Sequence, residues 1–252
     1  MKRNKLFKKW TINLMLICCI VGISVFYSTG KGMKVFNSAL ANNNSIPVHS
    51  VEREDKTIAI TINTGFSEQY TDEILKLLRK EGVKATFFTT GAWIDMYRND
   101  AVKIHKNGHE IGNNSLTYPH ISHLSRENLE REILGANEKI KMITGKTVGV
   151  FRPPYGEYSD KSQRAVSDMD MVSVVWNLDF KDYELENNEE EFLEKVTSGS
   201  ILLFTNNSSE SYDKLQKTIT TLKKQGYKFN TVSEMIYKDS YYIDHTGRQK
   251  SI

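Results

Sequence analysis

Cysteine is nearly absent from this chain: of 252 residues only Cys18 and Cys19 are cysteines, and both lie inside one apolar run near the N-terminus. The rest of the chain therefore forms no internal disulfide, and cysteine spacing offers no zinc site. A basic excess is also lacking. The formal charge of +3 is owed to Lys2, Arg3, Lys5, Lys8 and Lys9, and beyond residue 9 there are 29 basic side chains against 31 acidic ones. A nearly neutral globule has no stripe of cations with which to neutralise a phosphate backbone, which excludes nucleic acid as a partner. No internal repeat is present.

The basic start (1–9) runs directly into residues 10–27, whose only clearly polar members are Thr11, Asn13 and Ser24. Such a run is long enough to cross a bilayer. Five positive charges before it, against Lys31 and Lys34 after it, place the N-terminus in the cytoplasm and the remainder outside. The expectation is a single-pass protein of the cell membrane with an extracytoplasmic domain. The alternative is a secreted protein, because Ala39-Leu40-Ala41 resembles a signal-peptide cleavage site, although it lies far beyond the apolar run. Residues 28–52, with Gly30, Gly32 and Asn42-Asn43-Asn44-Ser45, read as a linker. A domain is expected over 53–238, followed by a polar tail over 239–252.

From Lys56 onward, short β-rich runs alternate with helical patterns, the signature of a mainly parallel sheet. Seven strands are expected, at 57–62, 85–89, 109–112, 149–152, 171–177, 200–204 and 229–232. Leu129, Ile133, Ala136, Ile140 and Ile143 recur at helical spacing between Ser125, a suitable N-cap, and Gly145, a suitable stop. Leu215, Ile219 and Leu222 before Gly226 repeat that signal. Seven alternating units suggest a barrel, with its chemistry at the C-terminal strand ends.

Four motifs stand at strand ends and in the segments beside them: Thr61-Ile62-Asn63-Thr64-Gly65, Lys84-Ala85-Thr86-Phe87-Phe88, Gly108-His109-Glu110-Ile111-Gly112-Asn113 and Phe151-Arg152-Pro153-Pro154-Tyr155-Gly156. In this order and at these separations they resemble the TFDDG, KATFF, GHEIGN and FRPPYG motifs of the polysaccharide deacetylase (NodB-homology, carbohydrate esterase 4-like) family. The resemblance covers about 56–236. It implies an α/β fold, a distorted (β/α)7 barrel, here preceded by one transmembrane helix.

The resemblance also implies hydrolysis of N-acetyl groups on a glycan by a metal, usually zinc, held by one aspartate and two histidines. In this chain each such position is substituted. The base falls on Asn63 and the metal carboxylate on Thr64. The two metal histidines fall on Asn114 and Tyr118, with Pro119 keeping the register. The late histidine that acts as general acid falls on Phe204. Amides, hydroxyl groups and a phenyl ring replace a base, ligands and an acid, so no cofactor is expected.

What persists is the groove. Arg152, whose family counterpart orients the base, would face Asn63. Pro154-Tyr155-Gly156 would offer a backbone donor to an oxyanion, and Trp176 and Asp179 keep the spacing of a segment lining the acetyl pocket. Each has a plainer reading too, with Arg152 satisfying carbonyls or Asp179, and Trp176 packing in the core. A relocated metal site at His120 and His123 is the sharpest route to an active enzyme. His109 is expected to be structural, His49 lies in the linker and His245 in the tail. The acidic run from Glu184 to Glu191 reads as a solvated loop and helix start.

Two functions therefore compete. One is a catalytically silent homologue that keeps a carbohydrate groove, or a regulatory surface for an envelope protein, at the cell wall. The other is an atypical deacetylase of peptidoglycan or chitin-like glycans. A purely structural envelope protein is a third.

Overall fold

A computed structural model describes residues 45–66, 70–183 and 189–252. The expected membrane segment 10–27, the basic residues before it, the cleavage-like Ala39-Leu40-Ala41, most of the linker, and Glu184 and Glu186 lie outside the described residues. Among the described residues no helix is long and apolar enough to cross a membrane.

In chain order the first elements are β1 (Ser50–Val51), β2 (Thr57–Asn63), α1 (Thr71–Glu81), β3 (Thr86–Thr89), α2 (Gly91–Met96), α3 (Arg98–Lys106) and β4 (Glu110–Asn113). Then come α4 (Arg126–Thr144), β5 (Val150–Phe151), α5 (Asp160–Ser167), β6 (Val172–Ser173), β7 (Leu178–Asp179) and α6 (Glu189–Lys195). The last are β8 (Ile201–Thr205), α7 (Ser209–Lys224), β9 (Lys228–Phe229), α8 (Val232–Met235), β10 (Tyr241–Ile243) and β11 (Arg248–Ser251).

The alternation in β2 sets the layers. Ile58, Ile60 and Ile62 face outward into a cluster with Ile74, Leu78, Leu215 and Ile219 of α1 and α7. Burying each isoleucine contributes about 1.5–3 kcal/mol before entropy is counted. Ala59 faces the other way, into a smaller inner cluster with Phe88, Val150, Val174 and Ile201. Strand pairing is parallel throughout, in the order β6-β5-β4-β3-β2-β8-β7, with β9 pairing the start of β2.

This path is curled. Laid flat, seven strands at about 4.8 Å spacing would put β6 and β7 about 29 Å apart. Only residues 174–177 connect these two edges, and five peptide steps reach at most about 18 Å. The edges do not pair with each other. Val48 enters the seam instead, donating to Ser173 O at 2.8 Å and accepting from Val175 N at 2.9 Å. The expected strand 171–177 is thus one edge strand, β6, and the connecting segment, with the other edge strand, β7, just beyond it, and the barrel is open along the connection.

Two expected boundaries are corrected. Residues 46–51, assigned to the linker, belong to the domain, and 239–252 is no tail: β1, β11 and β10 form a three-stranded sheet. Apolar periodicity was absent there because polar Gln249, fully buried, holds the sheet by exchanging hydrogen bonds of 2.9 Å with both backbone groups of Tyr237. His49 is half-buried beside this sheet rather than free in a linker; burial lowers its pKa. His245 occupies the exposed turn between β10 and β11. The segment 229–232 is strand only at its start, because Thr231 and Glu234 form a capping box that begins α8.

Helix α4 follows its periodicity. Ser125 accepts from Asn128 N at 3.2 Å, Leu129, Ile133, Ala136 and Ile140 are buried, and Gly145 ends the helix in the left-handed conformation.

Candidate functional site

The C-terminal strand ends converge on a cleft of about 400 Å³. Of the residues singled out from sequence, Asn63, Thr64, Asn114, Tyr118, Tyr155, Trp176 and Asp179 line it together. Arg152 lies beneath, fully buried, as the central piece of the floor. Its Nη1 donates to Asn63 Oδ1 at 3.0 Å, its Nη2 to Val175 O at 2.9 Å and its Nε to Val174 O at 3.4 Å. The guanidinium also lies 4.0 Å from the Phe88 ring centroid and 5.4 Å from that of Trp176. Burial pushes its pKa down to about 9, with Tyr118 and Asp179 acting the other way. The group is still a cation at neutral pH.

The loop after β4 is held from below. Asn113 Nδ2 donates to Ile133 O and Asn137 Oδ1 on α4, its Oδ1 accepts from Ser115 N, and the Glu132 carboxylate accepts from both Leu116 N and Thr117 N. Asn114 then donates Nδ2 to Arg152 O at 2.8 Å. Tyr118 sits at φ 66°, and its hydroxyl accepts from Tyr155 N at 3.3 Å. The backbone donor expected at Pro154-Tyr155-Gly156 is therefore engaged by the phenol. Burial raises the Tyr118 pKa above its ordinary value, so the hydroxyl keeps its proton. Pro154 is buried at the foot of this turn.

Phe204 is a correction. It faces the outer core, stacked on Phe180 with ring centroids 5.8 Å apart and edge-on to Phe192. Strand alternation turns its neighbours Leu203 and Thr205 into the cleft, and Thr205 is in register with Asn63. The cleft-facing end of β8 is therefore Thr205, one residue from the position read by motif matching. Period-two alternation carried across from β2 to β8 would have found it, since Ile62 and Phe204 are register partners and both are buried in the outer cluster.

Trp176 both packs against the inner cluster and lines the cleft. Asp179 is partly buried; burial raises its pKa, opposed by the Lys181 N–H that its Oδ1 accepts at 3.0 Å. Phe66, Thr90, Lys181 and Asn207 also line the cleft; lying in loops, in a short 3-10 turn or at a helix cap, they carry no periodic or motif signal. His120 and His123 stand outside the lining. The His120 ring stacks on Tyr155 at 4.3 Å and pairs through Nδ1 with Glu157 at 3.0 Å, while His123 ends a short 3-10 turn. His109 lies at the opposite strand ends, beside a second cavity of about 440 Å³, with Nδ1 accepting from Ala85 N.

The cleft does not fit a resident zinc. Thr64, Asn114 and Tyr118 supply a neutral hydroxyl, an amide whose nitrogen is committed to Arg152 O, and a protonated phenol. Among the described residues no three His, Cys, Asp or Glu side chains are grouped so as to hold a metal.

The architecture is thus an open parallel barrel with a cleft at its C-terminal strand ends. Residues 50–174 match the family model "Polysaccharide deacetylase". The peptidoglycan-N-acetylglucosamine deacetylase of Bacillus cereus is 31% identical over 194 residues, 74% of this chain and 91% of that protein. The peptidoglycan-N-acetylmuramic acid deacetylase PdaA of Bacillus subtilis is 28% identical over 192 residues, 73% of each. Among solved structures, a CE4 family pseudoenzyme from Bacillus anthracis aligns with TM-score 0.70 and 28% identity over 82% of this chain and 71% of that one; a mutant of a CE4 pseudoenzyme with restored enzymatic activity aligns equally well, at TM-score 0.70. This chain belongs to the polysaccharide deacetylase family.

Proposed function

We propose that this protein is a catalytically silent polysaccharide deacetylase homologue that holds a cell-wall glycan in the cleft, on a domain displayed outside the membrane by residues 10–27. The observation that carries the reading is the chemistry of the floor. Where the reaction needs a base, an acid and anionic or imidazole ligands, Asn63, Thr64, Asn114, Tyr118 and Thr205 supply neutral amides and hydroxyls. Trp176 and the half-exposed Tyr155 keep aromatic faces on which a sugar ring can stack.

The test is a set of three measurements on the full chain in detergent. After metal stripping, zinc is titrated calorimetrically, and acetate release from peptidoglycan is followed alongside co-sedimentation with it. The expected result is no stoichiometric zinc, no acetate and retention on the glycan. One equivalent of tightly bound zinc together with acetate release would overturn the reading.

A further inference from the structure

Among the described residues the buried cation under the cleft has no carboxylate within hydrogen-bond reach. The partners of Arg152 are one amide oxygen and two carbonyl oxygens, and among the described residues it makes no ion pair. Hydrogen-bond bookkeeping then fixes what the floor presents. Because Asn63 Oδ1 accepts from Arg152, its Nδ2 is turned away from the guanidinium as a donor. Because the Tyr118 oxygen accepts from Tyr155 N, its own proton remains to be donated. Thr64 Oγ1 is buried without a protein partner. Two donors with no acceptor of their own, Asn63 Nδ2 and the Tyr118 hydroxyl, therefore border one cleft, with Thr64 Oγ1 buried beside them. Among the described residues its ionised neighbours are the cations Arg152 and Lys181 and the carboxylate Asp179, which is itself engaged with Lys181 N.

We propose that the group this cleft selects on its glycan is a carboxylate, received by Asn63 Nδ2 and the Tyr118 hydroxyl over the Arg152 charge. The inference rests on the glycan reading above and adds to it the chemical class of the recognised sugar: an acidic one. A carboxylate is acceptor-only and planar, which suits a set of donors, and its charge compensates the guanidinium that the protein leaves unpaired. Burial that disfavours the charged form of Arg152 acts in the same direction, since an anion in the cleft relieves it.

The test uses the full chain with three probes: a peptidoglycan glycan oligomer whose alternate sugars carry a carboxylate, the same oligomer with that carboxylate reduced to an alcohol, and sodium acetate. Affinity for the acidic oligomer is expected to exceed that for the reduced one by about tenfold or more, and to weaken with salt. Asn63→Asp, which supplies the missing anion from the protein, is expected to abolish the difference. Tyr118→Phe, which adds no charge, is expected to weaken the acidic oligomer severalfold more than the reduced one. Equal binding of the two oligomers would overturn this inference while leaving the glycan reading intact. Acetate binding that Asn63→Asp abolishes, with neither oligomer bound, would uphold the carboxylate site and overturn the glycan reading. Silence from all three probes would overturn both.

Discussion

Asn63→Asp should make the folded protein more stable, although it introduces a charge at a partly buried site. Arg152 Nη1 already lies 3.0 Å from the Asn63 side-chain oxygen, so a carboxylate needs no rearrangement to form an ion pair. At a separation of about 4 Å and an effective dielectric constant near 20, the Coulomb attraction is about 4 kcal/mol. Desolvating a partly buried carboxylate returns a large part of this. A net gain of about 1–2 kcal/mol remains, which in a domain of this size raises Tm by roughly 2–8 °C. The folded pKa of the new Asp lies below its unfolded value of about 3.9. The gain is therefore complete above that value and is lost as pH falls through the folded pKa. Asn114→Asp is the control, because its side chain donates to Arg152 O at 2.8 Å and is buried. A carboxylate there faces a carbonyl oxygen and should cost about 3 kcal/mol or more. Melting curves of both variants at pH 7, read by circular dichroism, decide the matter. A fall in Tm for Asn63→Asp, or equal falls for the two, would refute the view of Arg152 as an uncompensated cation.

Other perturbations probe the register, the seam and the far end of the barrel. Phe204→His should destabilise by about 3 kcal/mol, because it places an imidazole between Phe180 and Phe192, whereas Thr205→His should be near neutral in a urea melt and present its ring to the cleft. Gly199→Ala should fail to give a stable fold on expression and melting, since at φ 84° its Cβ would lie 1.6 Å from Val51 O. Burial, with a smaller effect of the Lys84 charge, lowers the His109 pKa to about 4. Its contribution, up to about 3 kcal/mol, is present above the unfolded value of about 6.5 and is lost as pH falls from there through 4; His109→Gln should flatten stability against pH over that window in urea titrations.

The parts of the fold legible in the sequence are those with a period or a cap. Helix α4 follows from its spacing between Ser125 and Gly145, and β2 from the alternation of its isoleucines. Motif order was enough to bring Asn63, Thr64, Asn114 and Tyr118 to one cleft. The edge strands β6 and β7 were illegible as separate elements, because two paired residues each leave no pattern and the valines between them serve the seam instead. The β10–β11 hairpin was hidden by its polarity: Gln249 is buried through hydrogen bonds, which hydropathy does not register. Phe204 was expected at the cleft because matching a motif by its flanking aliphatics does not say which face a residue takes, and successive residues of a strand take opposite faces. The blocked donor of Tyr155 was beyond sequence, since it depends on where a phenol thirty-seven positions earlier comes to rest.

The seam has a consequence for how the protein is made. The gap between the barrel edges is filled by Val48, and the strand that follows, β1, pairs with β11, which runs to Ser251. Both extremities of the described chain thus meet at one joint. During synthesis Val48 can close the seam against Ser173 and Val175 once these have emerged, but β1 lacks its β11 partner until residues 248–251 follow. A chain that is exported in an extended state and folds only once it is all across avoids that exposed interval. The same joint makes the last dozen residues a completion check: a product cut short before β10 retains every residue of the cleft yet lacks the strand against which β1 docks.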